Sequence, residues 1–479
     1  MPGKSDNLLV GLSMGTTKTT MIVAEKNSSY PDSVHVIGFG NADSKGVSKG
    51  IIVSLQDARQ SVIKAFQEAQ SITGISASRL SNVIVAFNAM DVQSETTHGM
   101  VTLGGRDSKA VQKSDLNRVI DRARDDLALR SNMYSLHMIP TSYELDSRQI
   151  DEPLNMNGNQ LDLWLQTVAV PMTYAQNVVN CVQTAGLSVR GLVLKPLAAS
   201  LGAVYEEEMR AGCISICIGG GTTGIVLYRG GRAFKIISIP IGGDHIRSDL
   251  ALMLKIPLGE AEHLKKRFFT TDPDILKREG INYELAAQAI LTRFEELFGE
   301  FIYNALAECT PQHFPGGIIL SGGVSATPGI DEMLQSILQM PVRKVIEPIY
   351  AMPYGLNNAS YVSEAGILKF AVMTERDPYL FMESDQILPG LSERSDMRRR
   401  QEQKRIEHEA RDNPDNPPVN YPADYPEPQP LYGPDEPLPE GPEWTGDDEP
   451  IDGPSGRSYG GNSLKELMQS LWERFIKLF

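Results

Sequence analysis

The chain has 479 residues, 41% of them hydrophobic, and a formal charge of −15 from 45 Lys+Arg against 60 Asp+Glu. That length and apolar content predict more than one packed unit, and the acidic surplus excludes a general nucleic-acid binder, which needs a basic face. The acid is concentrated: residues 413–454 hold eleven Asp/Glu, no Lys or Arg and thirteen prolines, so the remainder carries only −4.

Four cysteines (Cys181, Cys213, Cys217, Cys309) in so long a chain make no disulfide framework, and none has zinc-ligand spacing. Cys213 and Cys217, four apart in an apolar, β-branched run, read as buried strand thiols, and the compartment is expected to be reducing. The N-terminal run MPGKSDNLLVGLSMG has no signal-peptide core, and no segment reaches the ~18 apolar residues of a membrane span. The expectation is a protein neither secreted nor integral.

Leu8-Leu9-Val10-Gly11-Leu12 reads as a strand, Met14-Gly15-Thr16-Thr17-Lys18 as a turn, and Thr20-Met21-Ile22-Val23-Ala24 as the returning strand. β-Branched residues after the turn favour a hairpin over a helix. A helix follows, with Ser54 as N-cap, Asp57 in its first turn, and Ala58, Val62, Ala65, Phe66 and Ala69 on its apolar face. Val83 to Phe87 is a buried strand, and an α+β stretch runs from about Asn88 to Asp162. Leu163–Pro171 is strand-like. Tyr174–Ala185 is helical and stops at Gly186.

The pattern then restarts. Cys213–Ile218, Gly219-Gly220-Gly221-Thr222-Thr223-Gly224 and Ile225–Tyr228 repeat the strand, Gly/Thr turn, strand grammar about 205 residues after its first appearance. Two halves on one plan are expected. A helical region spans about Glu260–Ala307, and Ile318–Ser321 runs into Gly322-Gly323. The last packed element is about Ala359–Ala371. A charged stretch, Glu393–Arg411, reads as a solvated helix. The proline-acid tract buries too little apolar surface to offset its ordering entropy and reads as disordered linker.

Each glycine turn offers backbone N–H groups to a phosphate, with Thr16, Thr17, Thr222 and Thr223 as hydroxyl donors and Lys18 as a cation. One such turn is weak evidence, but two in one register can hold a polyphosphate between two halves. Gly322-Gly323 would let backbone approach a base or ribose. Glu262 and Lys265, three apart on a helix, either face the same ligand or form an ordinary surface ion pair.

At the C-terminus, Ser463-Leu464-Lys465-Glu466 reads as a capping box. Leu464, Leu467, Met468, Leu471, Trp472, Phe475, Leu478 and Phe479 then recur at helical spacing. This is an amphipathic helix of about 25 Å. The tract before it isolates it from the body, so its Trp- and Phe-bearing face suits a membrane interface. Its side chains sum to only +1, so insertion rather than attraction to anionic lipid should dominate.

The two turns, Ala261-Glu262-His263-Leu264-Lys265 and Ser321-Gly322-Gly323 resemble the nucleotide site of the actin/heat-shock-chaperone/sugar-kinase superfamily. Within it, the sequence resembles the FtsA family of bacterial cell-division proteins. The segments that carry this are Leu136–Tyr143, Gly186-Leu187-Ser188-Val189 leading to Leu194-Lys195-Pro196-Leu197-Ala198, and Ile239–Asp244. The resemblance covers about residues 7–371 and the extreme C-terminus.

The resemblance implies an actin-like α/β fold: two RNase H-like lobes enclosing a nucleotide cleft, with an inserted subdomain, a disordered linker and the terminal helix. The first lobe would take residues 7–87, 163–198 and about 355–375, and the insert 88–162. The second lobe would take 199–354, with 245–310 as its peripheral part. Residues 376–461 would be linker and 462–479 the membrane helix. ATP, with or without Mg²⁺, would lie on Gly15, Thr16, Thr17, Lys18 and Gly219–Thr223. Gly243 would sit at the inter-domain turn, Glu262 and Lys265 at ribose and base, and Gly322 and Gly323 at adenosine.

The implied partners are the acidic, apolar C-terminal peptide of the tubulin-like FtsZ, further copies of the chain, membrane lipid and other division proteins, at the cytoplasmic face of the membrane at the septum. Arg293 matches the family arginine that receives the peptide, although a helix-surface pair with Glu296 would equally explain it. The sequence departs from the superfamily at Ser13, Cys217 and Gly224, where acids usually hold waters around the metal. ATP binding with weak or absent hydrolysis is the expectation. Rival readings are a pilus-type inner-membrane scaffold, a sugar-kinase-like phosphotransferase and a chaperone. They are disfavoured in turn by the terminal helix, the lost acids and the missing substrate domain.

Overall fold

The computed structural model describes residues 7–377, except 28–32, 105–107, 131, 308 and 354. The charged stretch, the proline-acid tract and the terminal helix named above lie outside the described residues.

β1 (Leu8–Met14) is buried at all seven positions and returns through the turn as β2 (Lys18–Lys26), in antiparallel register from Leu8 opposite Glu25 to Met14 opposite Thr19. β3 (Val34–Asp43) continues the meander. α1 (Leu55–Thr73) starts as the sequence predicts: the Ser54 side chain accepts from the Asp57 N–H, and Ala58, Val62, Ala65 and Ala69 are buried. β4 (Asn82–Phe87) lies parallel to β1.

The insert contributes β5 (Gln93–Thr102), α2 (Lys113–Asp125), β6 (Met133–Leu145), β7 (Arg148–Ile150) and β8 (Gln160–Pro171), with sheet order β7-β6-β8-β5. β8 pairs with β5 and β6 beyond residue 162, so the sheet of the insert carries this strand as far as Pro171. α3 (Met172–Thr184) and β9 (Ser188–Leu194) complete the first sheet in the order β9-β4-β1-β2-β3.

α4 (Lys195–Leu201) leads into the second half. Its strands are β10 (Ile214–Ile218), β11 (Thr223–Arg229) and β12 (Arg232–Ile239), followed by α5 (Gly243–Leu254), α6 (Leu258–Arg267) and α7 (Tyr283–Phe294). The region expected to be helical near 260–307 is several helices, broken where Pro273 and Gly280 interrupt the pattern. β13 (Ile318–Ser321), α8 (Ile330–Leu338), β14 (Val342–Lys344) and α9 (Val362–Arg376) follow. The second sheet runs β12-β11-β10-β13-β14.

Read outward from its hairpin, each sheet has three antiparallel strands and then two parallel ones. The two halves therefore share one topology, as the repeated grammar predicts. Each half has its own apolar core, around Leu12, Ile22 and Val85 in the first and Ile216, Leu264 and Leu320 in the second, and the insert has a third around Val119 and Leu163.

α4 and α9 cross between the lobes at two glycines. A methyl group on Gly366 would overlap the Ala198 carbonyl oxygen, and one on Gly202 would overlap that of Val362. Only bare backbone lets the helices approach this closely. Twelve of the fifteen residues of α9 are buried, so the crossing cannot move without opening a core.

Candidate functional site

Both glycine turns sit where an antiparallel strand pair reverses, and they face each other across the cleft. The Gly15 N–H donates to the Lys18 carbonyl oxygen at 3.0 Å, and the Gly219 N–H to that of Thr222 at 2.9 Å. A methyl group on Gly220 would overlap Thr17 Oγ1, and one on Gly221 would overlap Thr16 Oγ1. The glycines are thus required by close approach of the other lobe.

The remaining expected residues gather behind the second turn. The Gly243 and Asp244 N–H groups donate to the carbonyl oxygens of Gly219 and Gly220 at 2.9 and 2.7 Å. Lys265 Nζ reaches Glu262 Oε2 at 2.6 Å and the Gly243 carbonyl oxygen at 3.2 Å. Burial works to raise the Glu262 carboxyl, but Lys265 and Lys266 outweigh it and hold it below the usual range. Gly322 has φ +91° and lies so close to Ile218 that a side chain would strike its carbonyl oxygen. Thr223 Oγ1 donates to the Ile241 carbonyl oxygen at 2.8 Å, which turns it away from the cleft.

Several site residues went unseen in the sequence. Asn88 bridges the lobes: its Nδ2 donates to Thr222 Oγ1 at 2.7 Å and its Oδ1 accepts from Ser238 Oγ at 2.9 Å. Lys195, at the start of α4, places Nζ 2.7 Å from where a Gly15 methyl would lie. Glu364 on α9 is 1% exposed, and both its carboxylate oxygens lack a hydrogen-bond partner. Asp244 lies beside Gly220 and pairs with Arg247 at 3.4 Å.

Lys18 does not extend freely into the cleft. Its Nζ lies 3.0 Å from the centre of the Tyr361 ring, a cation–π contact. Burial pulls it from the ordinary lysine value of 10.5 to about 8, with Glu364 supporting its charge and Lys195 opposing it. Between about pH 8 and 10.5 the unfolded chain holds a proton at Lys18 that the folded chain has released, so the Lys18 contribution to stability rises with pH in that window. Urea unfolding of the wild type and Lys18→Met at about pH 7.5 and about pH 10 checks this. The wild type should gain on the variant at the higher pH, and an unchanged gap contradicts the assignment.

The three neutral positions have local reasons. A side chain on Gly224 would meet Pro196 of α4, 2.7 Å from its Cβ, so no acid fits there. Ser13 is fully buried with Oγ unpartnered. Burial raises the Cys217 thiol and outweighs the Ser321 hydrogen bond that lowers it, so the thiol is neutral. Arg293 makes a two-pronged contact with Asp249, at 2.7 and 3.0 Å, and also bonds Glu296.

The chain is 30% identical over 387 residues to the cell division protein FtsA of Bacillus subtilis strain 168, which spans 78% of this chain and 85% of that protein. The chain belongs to the FtsA family. The FtsA family model matches residues 214–366, and the model of the SHS2 domain inserted in FtsA matches 90–169, the region of the four-stranded sheet β7-β6-β8-β5 and α2 described above as the insert. FtsA of Pseudomonas aeruginosa strain PAO1 is 28% identical over 390 residues, 78% of this chain and 91% of its own length. A solved PilM-PilN type IV pilus biogenesis complex superposes with a TM-score of 0.55 at 18% identity, over 75% of this chain and 98% of that one. The fold is therefore the actin-like one, and the FtsA relationship gives this chain an actin-like cell-division role. Among the described residues no helix is long and apolar enough to cross a membrane.

Proposed function

We propose that this FtsA-family chain binds ATP between its lobes, assembles with further copies, and tethers FtsZ filaments to the cytoplasmic face of the membrane at the septum. The observation that carries the nucleotide reading is the pair of glycine turns meeting across the cleft at Thr16–Gly221 and Thr17–Gly220. Their N–H groups and the Thr16, Thr17 and Thr222 hydroxyls would take the polyphosphate. Glu262, Lys265, Gly322 and Gly323 would take the adenosine end. With the usual acids replaced at Ser13, Cys217 and Gly224, ATP serves as a structural ligand that closes the lobes and is turned over slowly or not at all.

ATP titration of the purified full chain tests this reading. Saturable binding is expected, and Gly221→Val, whose side chain would overlap Thr16, should weaken it by at least about tenfold. Absence of ATP binding contradicts the reading. Sustained, Mg²⁺-dependent phosphate release that is lost on replacing Lys18 contradicts the structural role given to ATP.

Peptide capture is assigned to the face of α7 that carries Arg293. The guanidinium is already held by Asp249 and Glu296, so an acidic peptide would have to exchange with these carboxylates. Membrane attachment is assigned to residues 463–479 on the sequence pattern. One weak anchor per chain becomes an avid array when chains assemble.

A further inference from the structure

In this fold a divalent cation ordinarily neutralises the polyphosphate, held through waters by acids at the phosphate turns. The residues here do not fit that arrangement. Ser13, Cys217 and Gly224 are neutral, and Pro196 closes the space beside Gly224. Among the described residues no three His, Cys, Asp or Glu side chains form a metal-holding group. The charges near the turns among the described residues include Lys18, Lys195, Glu364, Asp244 and Arg247, and Lys265 behind Gly243 is held by Glu262. Asp244 pairs with Arg247, and Glu364 acts through space on Lys18. The cation of this group that stands over the first turn is Lys195, its Nζ 2.7 Å from the position of a Gly15 methyl.

Resting on the nucleotide reading above, we infer that the Lys195 ammonium takes the place of the divalent cation, so that the polyphosphate of ATP is held between the glycine turns without a metal. A lysine is a point charge suited to phosphate and costs no metal desolvation. Lys195 is the first residue of α4, fixed by Pro196 after it and by the α4–α9 crossing, so its origin does not wander. Glu364, buried with both oxygens unpartnered, offsets part of the repulsion between the two ammoniums before nucleotide enters. From α9 it acts through space on Lys18 without adding an acid to either turn.

The inference requires that affinity for ATP be indifferent to Mg²⁺. Isothermal titration of the full chain with ATP, once in EDTA and once in excess Mg²⁺, reads this directly in the unaltered protein. Affinities no more than about twofold apart are expected. Loss of one charge-assisted contact in Lys195→Gln should weaken binding in EDTA by about tenfold or more. Lys195→Glu should make binding dependent on Mg²⁺. ATP bound in Mg²⁺ but lost in EDTA overturns the inference and leaves the nucleotide site standing, as does a Lys195→Gln protein that binds ATP in EDTA like the wild type. No binding in either condition contradicts the site itself and the inference with it.

Discussion

Gly366→Ala is expected to destabilise the body by about 3 kcal/mol or more, at the upper end for overpacking a core. The added methyl has nowhere to go. It would overlap the Ala198 carbonyl oxygen, and the reciprocal contact of Gly202 with the Val362 carbonyl oxygen holds the same two backbones together. A flexible side chain gives way at little cost, but a helix backbone does not. Relief requires α4 and α9 to move apart, and they are packed by Leu197, Leu201, Phe370 and other fully buried residues. These helices also carry Lys195 and Glu364, so ATP affinity should fall with stability. Gly259→Ala is the matched control. A methyl there meets nothing within 4 Å, and helix propensity alone should leave the protein unchanged or up to about 1 kcal/mol more stable. Urea denaturation of the three proteins checks both. Equal loss in the two variants would show that close approach at the crossing is not the cause.

Deleting residues 463–479 is expected to reduce vesicle flotation of the full chain by at least about tenfold. The nine apolar residues from Leu464 to Phe479 would supply the insertion, and the segment's charge of +1 would supply little. Binding should therefore survive an increase in salt that screens surface charge. Trp472→Ser should weaken it substantially by itself, because an indole ring is suited to the interface. Unchanged flotation after the deletion contradicts the anchor. A steep loss with salt contradicts insertion as its cause.

The parts of the fold legible in the sequence are those specified by short-range pattern. The two hairpins were visible because β-branched runs flank Gly/Thr turns, and the α1 start was visible because Ser54 and Asp57 stand at capping distance. The end of the insert was less legible, because β8 runs without a break from Gln160 to Pro171 and nothing local marks where one body yields to the next. The charged floor of the cleft was legible only at Lys18. Lys18, Lys195 and Glu364 are far apart in the chain and meet only through the crossing of α4 and α9. A signal existed for Lys195 and Glu364: Lys195 interrupts the largely apolar run Leu192–Leu201, and Glu364 is a buried acid in a largely apolar helix. A charge in such a run requires a partner or a ligand, but only the fold says which. Asn88 shows the same limit, since its bridge to Thr222 spans 134 residues.

In the proposed function one chain joins filament to membrane. Its most direct test is flotation of lipid vesicles with the full chain and a labelled FtsZ C-terminal peptide. The peptide is expected to rise with the vesicles only when the full chain is present, and to stay behind with the chain lacking 463–479 or with Arg293→Glu. A full chain that floats while the peptide remains in solution would contradict it.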